Sequence, residues 1–243
     1  MTVGPRPGFL REFLRAPRTV AAIAPSSAAL AAAVTSPIPL SGAPMVLELG
    51  PGTGSFTAAI QHRLAGRGHH LAIELNDRFA YRLAAEFPQV TVAAGDARNL
   101  TTIMTANGHR QADVIVSGLP WAAFAPGHQD SLLNAIVDGL APDGAFTTFA
   151  YTSTQWMPPA RRLRRSLTDH FEEVMPRRTV WANLPPAFIY VCRRPRRHLP
   201  TTPDAAAAEA TRGLDERYPA GVETRSRDGK RPSKTMAPPV YNR

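Results

Sequence analysis

The chain has 243 residues, of which 44% are hydrophobic, and this is enough for one domain with its own core and modest terminal additions, so we do not expect a second full domain. Its formal net charge of +9 predicts a polyanionic partner and fits nucleic acid and an anionic membrane surface equally well. The single cysteine, Cys192, excludes an intrachain disulfide and a C-x-x-C metal site. We expect a cytoplasmic monomer without a bound metal.

Residues 1–44 are predicted to form amphipathic cap helices and a linker. Gly8 to Ala16 has the pattern of a short helix with one apolar and one basic face. A second helix is expected to begin at Pro25-Ser26-Ser27, where a serine oxygen accepts a bond from a free backbone amide, and to run to Val34. No stretch reaches the roughly 20 apolar residues that a bilayer span needs. We therefore expect neither a membrane span nor a signal peptide.

From Met45 the chain alternates between short apolar runs and helical periods, which is typical of a parallel sheet with crossover helices. The predicted strands cover residues 45–49, 70–74, 90–93, 113–117 and 145–151. The predicted helices cover residues 55–65, 77–86, 129–140 and 159–170. Two more runs, Glu173–Val180 and Ala187–Arg193, are separated by a connection that suits only an antiparallel hairpin.

This pattern predicts an α/β fold over residues 45–197. We expect a Rossmann-like, mostly parallel seven-stranded sheet with a C-terminal antiparallel hairpin and helices on both faces. Residues 198–243 contain few large apolar side chains, so a disordered basic tail is expected there, with a short helix at 204–217 as the alternative.

A glycine-rich turn follows the first predicted strand, in the run Val46-Leu47-Glu48-Leu49-Gly50-Pro51-Gly52-Thr53-Gly54. Glycines let the backbone bend tightly and approach a ligand closely, and the next helix offers free amides at its start. Alone, this motif also fits an ordinary tight turn between a strand and a helix.

Two acidic residues downstream strengthen the case for a nucleoside site. Glu74 ends the second predicted strand, about 20 residues after Gly54, where a carboxylate can hold ribose hydroxyls. Asp96 follows the third strand, where it can accept a bond from an adenine amine. Separately, each also has a plain structural interpretation, as a solvated carboxylate or a helix cap.

Together these features resemble motifs I, II and III of class I S-adenosylmethionine-dependent methyltransferases. The resemblance implies that S-adenosylmethionine is the cofactor and that Glu48 orients its methionine end. It also implies cofactor contacts from the glycine turn and from the ends of strands two to four. These candidate residues are Gly50, Gly52, Gly54, Glu74, Leu75, Asp96, Ala97 and Ser117.

The segment after the fourth strand, Ser117-Gly118-Leu119-Pro120-Trp121, lies where these enzymes present the methyl acceptor. It resembles the Asn-Leu-Pro-Tyr motif of rRNA adenine dimethyltransferases, in which the asparagine accepts from the target amine and the ring stacks on a flipped base. Here Gly118 replaces that asparagine. The helical RNA-binding domain expected after the core of those enzymes is not evident in the sequence either.

Residues 5–195 more nearly resemble bacterial phospholipid N-methyltransferases, in Ser117 to Pro120, in Arg178 to Tyr190 and in the N-terminal segment. The family methylates phosphatidylethanolamine stepwise, and some related enzymes act on ornithine lipid. The catalytic candidates are Tyr151 and Asn183, as acceptors that align the amine, and Trp121, as an aromatic wall. The substrate-binding candidates are Leu119, Pro120, Trp121, Trp181 and Ser27.

The basic N-terminal helix suits attachment to the inner face of the membrane, because Phe9 and Phe13 would enter the acyl region while arginines meet anionic head groups. The same residues also fit packing on the core, and Arg161 to Arg165 fit either a basic binding face or a solvated helix. For Asn183 and Tyr151 a structural role is equally open, as is a core or interface role for both tryptophans.

Four functions therefore stay open at this point. Phospholipid N-methylation at a membrane surface leads, and adenine methylation in nucleic acid is second because of the charge and Leu119-Pro120-Trp121. A small-molecule amine methyltransferase and a non-catalytic binding protein complete the set.

Overall fold

The computed structural model describes residues 27–197 and the backbone of residues 240–241. The predicted helix at Gly8–Ala16 lies outside the described residues, and so does most of the predicted tail.

The described residues form one eight-stranded sheet in the order β6-β7-β5-β4-β1-β2-β3-β8. Strand β7 is antiparallel to β5 and β6, and β8 is antiparallel to β3, while β1 to β5 are parallel. The strands are β1 Met45–Leu49, β2 His69–Glu74, β3 Thr91–Ala94, β4 Ala112–Ser117, β5 Leu140–Tyr151, β6 Phe171–Pro176, β7 Ala187–Pro195 and β8 Val240–Tyr241. The side of the sheet at which β1 to β5 end is called the carboxyl edge below.

Six helices lie between residues 27 and 197, and the four middle ones connect the parallel strands. The six helices are α1 Ala28–Val34, α2 Ser55–Leu64, α3 Asp77–Glu86, α4 Leu100–Ala106, α5 Pro126–Gly139 and α6 Pro158–His170. Short 3-10 turns occupy Ala97–Asn99, Trp121–Ala123 and Thr152–Thr154. Each helix of the βαβ units starts at the carboxyl edge, so the residues between a strand and its helix meet at one side of the sheet.

The core lies on both faces of the sheet, because every side chain of β1 is buried and successive side chains point to opposite faces. On one face, Leu30 of α1 and Ile60 of α2 pack with Val46 of β1. On the other, Leu133 of α5 and Leu163 of α6 share a cluster with strand residues. Full burial of such a side chain contributes about 1.5–3 kcal/mol to the stability of the fold. This packing holds in place the strand ends that carry the site.

The predicted fold class is confirmed, and helix α3 has the predicted bounds. Three details were wrong. Residues 97–106 form a 3-10 turn and helix α4, whereas no element was predicted there. Strand β6 ends at Pro176, and only an isolated bridge from Val180 to Ala187 continues it. Residues 240–241 add strand β8 inside the predicted tail.

Within the part of the chain that the structure describes, the helices are too short or too polar for one to cross a membrane.

Candidate active site

The turn between β1 and α2 adopts a backbone that favours glycine. Gly50, Gly52 and Gly54 have φ angles of 67°, 55° and 85°, all in the left-handed region. The amide of Gly50 donates to the carbonyl of Ile73 in β2 across 2.9 Å, and Gly54 N donates to Pro51 O across 3.0 Å. The predicted glycine turn is therefore present, and it is anchored to the neighbouring strand.

Two of these glycines also lack room for a side chain. A Cβ on Gly50 would lie 2.6 Å from Leu119 Cδ2, and a Cβ on Gly54 would lie 2.9 Å from Phe87 Cε2. Gly52 has open space around it, so its φ angle alone requires glycine. Leu119, a predicted substrate-binding residue, thus lies directly over the first glycine of the turn.

Glu74, at the end of β2, is joined to the same turn. Its Oε2 accepts from the amide of Gly52 across 3.1 Å, and its Oε1 accepts from the amide of Asn76 across 2.9 Å. Burial raises the pKa of Glu74 above 4.5, although these backbone hydrogen bonds partly oppose the rise. Each carboxylate oxygen has a second lone pair, so the group can still accept from the two hydroxyls of a ribose.

Glu48 lies fully buried in β1. It belongs to a network of buried polar side chains that the sequence did not predict. Its Oε2 accepts from Thr57 Oγ1 at 2.8 Å and lies 3.1 Å from His70 Nε2. His70 Nδ1 lies 2.8 Å from Gln61 Nε2, and the tautomer with its proton on Nε2 satisfies both ring contacts. Oε1 of Glu48 is buried without a hydrogen-bond partner among the described residues.

Asp96 follows β3 and forms an ion pair with Arg98. The amide of Arg98 donates to Asp96 Oδ1 across 2.9 Å, and the guanidinium Nη2 lies 2.6 Å from Oδ2. Partial burial opposes ionisation, but the hydrogen bonds and charge of Arg98 outweigh it and lower the pKa of Asp96 below 3.8. Asp96 caps the 3-10 turn that starts at Ala97. Leu75, the predicted contact that follows Glu74, is half-buried, and so is Ala97.

Ser117 and Trp121 form a buried pair below this edge. The indole Nε1 of Trp121 donates to Ser117 Oγ across 3.1 Å, and the ring makes edge contacts with Phe124 and Phe146. Only 3% of Trp121 is exposed. This placement matches the core interpretation of Trp121, and an aromatic wall from this ring would require the 117–124 segment to open.

Gly118 packs against the glycine turn between β1 and α2. Its amide donates to Leu49 O across 2.9 Å, and a Cβ at this position would lie 2.8 Å from Gly50 O. The clash is with backbone, which cannot rotate away as a side chain can. The glycine at this position therefore has a packing reason of its own, and an asparagine does not fit the present turn. Pro120, the next predicted contact, is half-buried.

Asn183 is buried in the β6–β7 loop, and both polar atoms of its side chain make hydrogen bonds. Its Oδ1 accepts from the amide of Ser27 across 2.9 Å, and its Nδ2 donates to Pro185 O across 2.7 Å. Ser27 Oγ in turn accepts from Leu30 N at 3.2 Å and caps α1. The predicted helix start at serine is confirmed. Asn183 connects the β6–β7 loop to α1, and its Oδ1 already accepts one hydrogen bond there.

Tyr151 and Trp181 are more exposed than Trp121 and Asn183. Tyr151, the last residue of β5, is half-buried, and its ring makes an edge contact with the ring of Phe149. Burial raises the pKa of Tyr151 above 10.0, so the hydroxyl keeps its proton at neutral pH. Trp181 lies in the β6–β7 loop with 77% of its surface exposed.

The residues around the turn fit the adenosyl and methionine parts of S-adenosylmethionine. The glycines leave open backbone, Glu74 has spare acceptor capacity, and the unpaired Glu48 Oε1 is a buried acceptor beneath the turn. Among residues 27–197, no three His, Cys, Asp or Glu side chains group as a metal site. The sheet order and this turn define a nucleoside-binding α/β enzyme.

Comparison with known proteins gives the class. Residues 46–144 match the model of a methyltransferase domain. The ornithine lipid N-methyltransferase of Singulisphaera acidiphila is 35% identical over 188 residues, which cover 76% of this chain and 94% of that protein. The chain therefore belongs to the class I S-adenosylmethionine-dependent methyltransferases, in the same family as this relative. It is an enzyme, and S-adenosylmethionine is its methyl donor.

Solved structures agree on the fold. Human methyltransferase-like protein 13, solved with SAH, superposes with a TM-score of 0.51 at 18% identity and covers 81% of this chain and 92% of that one. The fibrillarin of Aeropyrum pernix, solved with S-adenosyl-L-methionine, gives a TM-score of 0.51 at 16% identity, with 66% and 72% covered.

Proposed function

We propose that this enzyme transfers methyl groups to the amine of a phospholipid head group, with phosphatidylethanolamine as acceptor, while attached to the inner, anionic face of the cytoplasmic membrane. The single observation that carries this proposal is the relationship to ornithine lipid N-methyltransferase over nearly the full length of that protein. It supports methylation of a lipid amine in general. Phosphatidylethanolamine and membrane attachment are our extension, supported by the basic charge.

The cleft for the amine lies at the carboxyl edge, beside the glycine turn. When bound, S-adenosylmethionine supplies an electrophilic methyl group on a sulfonium. The side chain of Leu119 lies against Gly50 and offers an apolar contact surface beside the glycine turn. Because methyl transfer is an in-line displacement, the main task of the protein is to hold a neutral amine in position.

Tyr151 is the candidate that best suits this task. Of the three predicted catalytic residues, Trp121 is packed in the core and Asn183 is committed to Ser27. The Tyr151 oxygen can accept a hydrogen bond from an amine N–H and so direct the lone pair toward the methyl group. The proton released from the ammonium passes to water, since a strong base is not needed for this displacement.

The runner-up, adenine methylation in nucleic acid, is weakened at the acceptor position. The amine-accepting asparagine of that resemblance corresponds to Gly118, whose backbone contact with Gly50 leaves no room for a larger side chain. The runner-up therefore needs a different amine acceptor in this chain.

The test is incubation of the full chain with labelled methyl donor and four separate acceptors: phosphatidylethanolamine vesicles, ornithine lipid vesicles, free ethanolamine and RNA. Label in phosphatidylethanolamine, confirmed by lipid mass spectrometry after expression in cells lacking phosphatidylcholine, supports the proposal. Label in ornithine lipid alone would overturn the acceptor, and label in RNA or free amine alone would overturn lipid methylation. Tyr151→Phe should lower kcat by about 10-fold or more at unchanged cofactor affinity.

A further inference from the structure

We propose that four exposed apolar side chains at the carboxyl edge insert into a phospholipid bilayer and dock the enzyme with its active-site cleft against the head groups. This inference rests on the proposed function and names the surface through which it operates. The four side chains, here called the apolar tip, are Trp156, Met157, Trp181 and Leu184.

The apolar tip is unusually exposed for residues of this kind. The exposed fractions are 78% for Trp156, 52% for Met157, 77% for Trp181 and 80% for Leu184. Isolated exposed apolar residues are ordinary, but a group of them that includes two tryptophans marks a binding surface. Tryptophan in particular suits the boundary between head groups and acyl chains, because its ring is apolar and its N–H is polar.

The backbone holds the two segments of the apolar tip together. Tyr151 of β5 pairs with Ala187 of β7, and the amide of Thr152 donates to Pro186 O across 2.9 Å. The β5–α6 segment and the β6–β7 loop are therefore neighbours at the carboxyl edge. Glu74 and the glycine turn lie at the same edge, because the strands that carry them are parallel to β5.

The charge around the apolar tip complements an anionic membrane. Residues 151–162 and 176–187 contain no aspartate or glutamate. The same two segments carry the arginines Arg161, Arg162, Arg177 and Arg178. Three of these are exposed, and Arg162 is partly buried. A basic rim around protruding apolar side chains fits anionic lipid head groups above an acyl layer.

The N-terminal segment joins the described part of the chain at this surface. The amide of Ser27 is held by Asn183, which lies between Trp181 and Leu184 in the β6–β7 loop. The chain therefore enters the described residues beside the apolar tip, and the predicted amphipathic helix at Gly8–Ala16 precedes this point in the sequence.

The test measures flotation of the full chain, with S-adenosylhomocysteine present, on vesicles of about 70% phosphatidylethanolamine and 30% phosphatidylglycerol. The triple variant W156S/M157S/L184S should lose at least about 10-fold in vesicle partition. The matched control is L40S, because Leu40 is 74% exposed but lies before β1, at the opposite edge of the sheet. It should partition like the unchanged protein. Cofactor affinity reports that each variant is folded.

A second measurement uses tryptophan fluorescence of the unaltered protein. Vesicles with brominated acyl chains should quench its emission and shift it to the blue, because Trp156 and Trp181 are exposed while Trp121 is buried. The variant W156F/W181F, which keeps only Trp121, should show neither effect. Emission of the unaltered protein that does not change with vesicles would overturn the proposal.

The outcomes separate this inference from the proposed function. Partition that depends on the apolar tip, without methyl transfer to lipid, supports docking and overturns the function. Methyl transfer to lipid, together with a triple variant that partitions like the unchanged protein, supports the function and overturns docking through the apolar tip. If RNA binds through the apolar tip and vesicles do not, docking to a membrane is overturned.

Discussion

Glu74 at the end of β2 accepts a hydrogen bond from the backbone amide of Gly52 across 3.1 Å. The acid assigned to the ribose is thereby connected to the turn that approaches the rest of the cofactor. A change at either residue affects both halves of the cofactor site, because the hydrogen bond fixes their relative position.

The raised pKa of Glu74 predicts that cofactor affinity depends on pH. Ribose hydroxyls donate to the ionised carboxylate, so affinity should fall as the pH is lowered through a pKa that burial places above 4.5. Asp96 has a pKa below 3.8 and stays ionised over this window. Calorimetry with S-adenosylhomocysteine from about pH 8 to pH 4.5 measures the effect.

Two variants check the assignment. Glu74→Gln should bind weakly at every pH, because it removes the charge and turns an amide NH2 toward a backbone donor. Asp96→Asn should keep the pH dependence of the unchanged protein. Affinity that is flat with pH in the unchanged protein would contradict the role of Glu74.

The Glu48 network predicts a stability effect at Thr57. Thr57→Val keeps the shape of the side chain but leaves one buried carboxyl oxygen without its hydroxyl donor, so the free energy of unfolding should fall by about 1–3 kcal/mol. Urea unfolding measures this. Thr105→Val is the control, because the Thr105 hydroxyl donates to Thr101 O on an exposed part of α4, and its effect should stay below about 0.5 kcal/mol. Equal effects of the two substitutions would argue against the network.

The glycine turn and Glu74 could be predicted from the sequence because their signals are local. Glycine spacing after an apolar strand and an acid at the next strand end are visible in a short window. Thr57 and His70 meet Glu48 only because α2 and β2 pack beside β1, at sequence separations of 9 and 22 residues. The one available signal was His70 itself, a polar residue inside an apolar strand.

The acceptor side was harder to predict for the same reason. Trp121 follows the fourth strand, where an aromatic ring was expected. Its indole is buried, however, because it donates to the hydroxyl of Ser117 and packs against the ring of Phe146. Asn183 lies in the predicted loop, yet its partner Ser27 is 156 residues away. Long-range contacts of this kind have no periodic or motif signature in a single sequence.

Gly118 gives a prediction about cofactor affinity. Gly118→Ala places a Cβ 2.8 Å from Gly50 O, so the cofactor turn must shift. We expect a loss of cofactor affinity of about 10-fold or more, as for a strained contact of 1–3 kcal/mol. The control is Gly108→Ala, where space is open but φ is 82°, so any loss of stability there should leave cofactor affinity unchanged. Full affinity in Gly118→Ala would show that the turn yields easily and would restore the asparagine comparison.

Asn183 predicts a coupling between the hairpin loop and α1. Asn183→Ala leaves the partly buried amide of Ser27 and the carbonyl of Pro185 without their partners, and should lower the free energy of unfolding by about 1–3 kcal/mol. Ser27→Ala removes only the cap of α1, at a cost of about 1 kcal/mol. Because Asn183 holds the residue whose hydroxyl caps α1, the double variant should lose less stability than the sum of the two single losses. Urea unfolding of the four proteins measures this, and losses that add in full would show that the cap and the loop contact are independent.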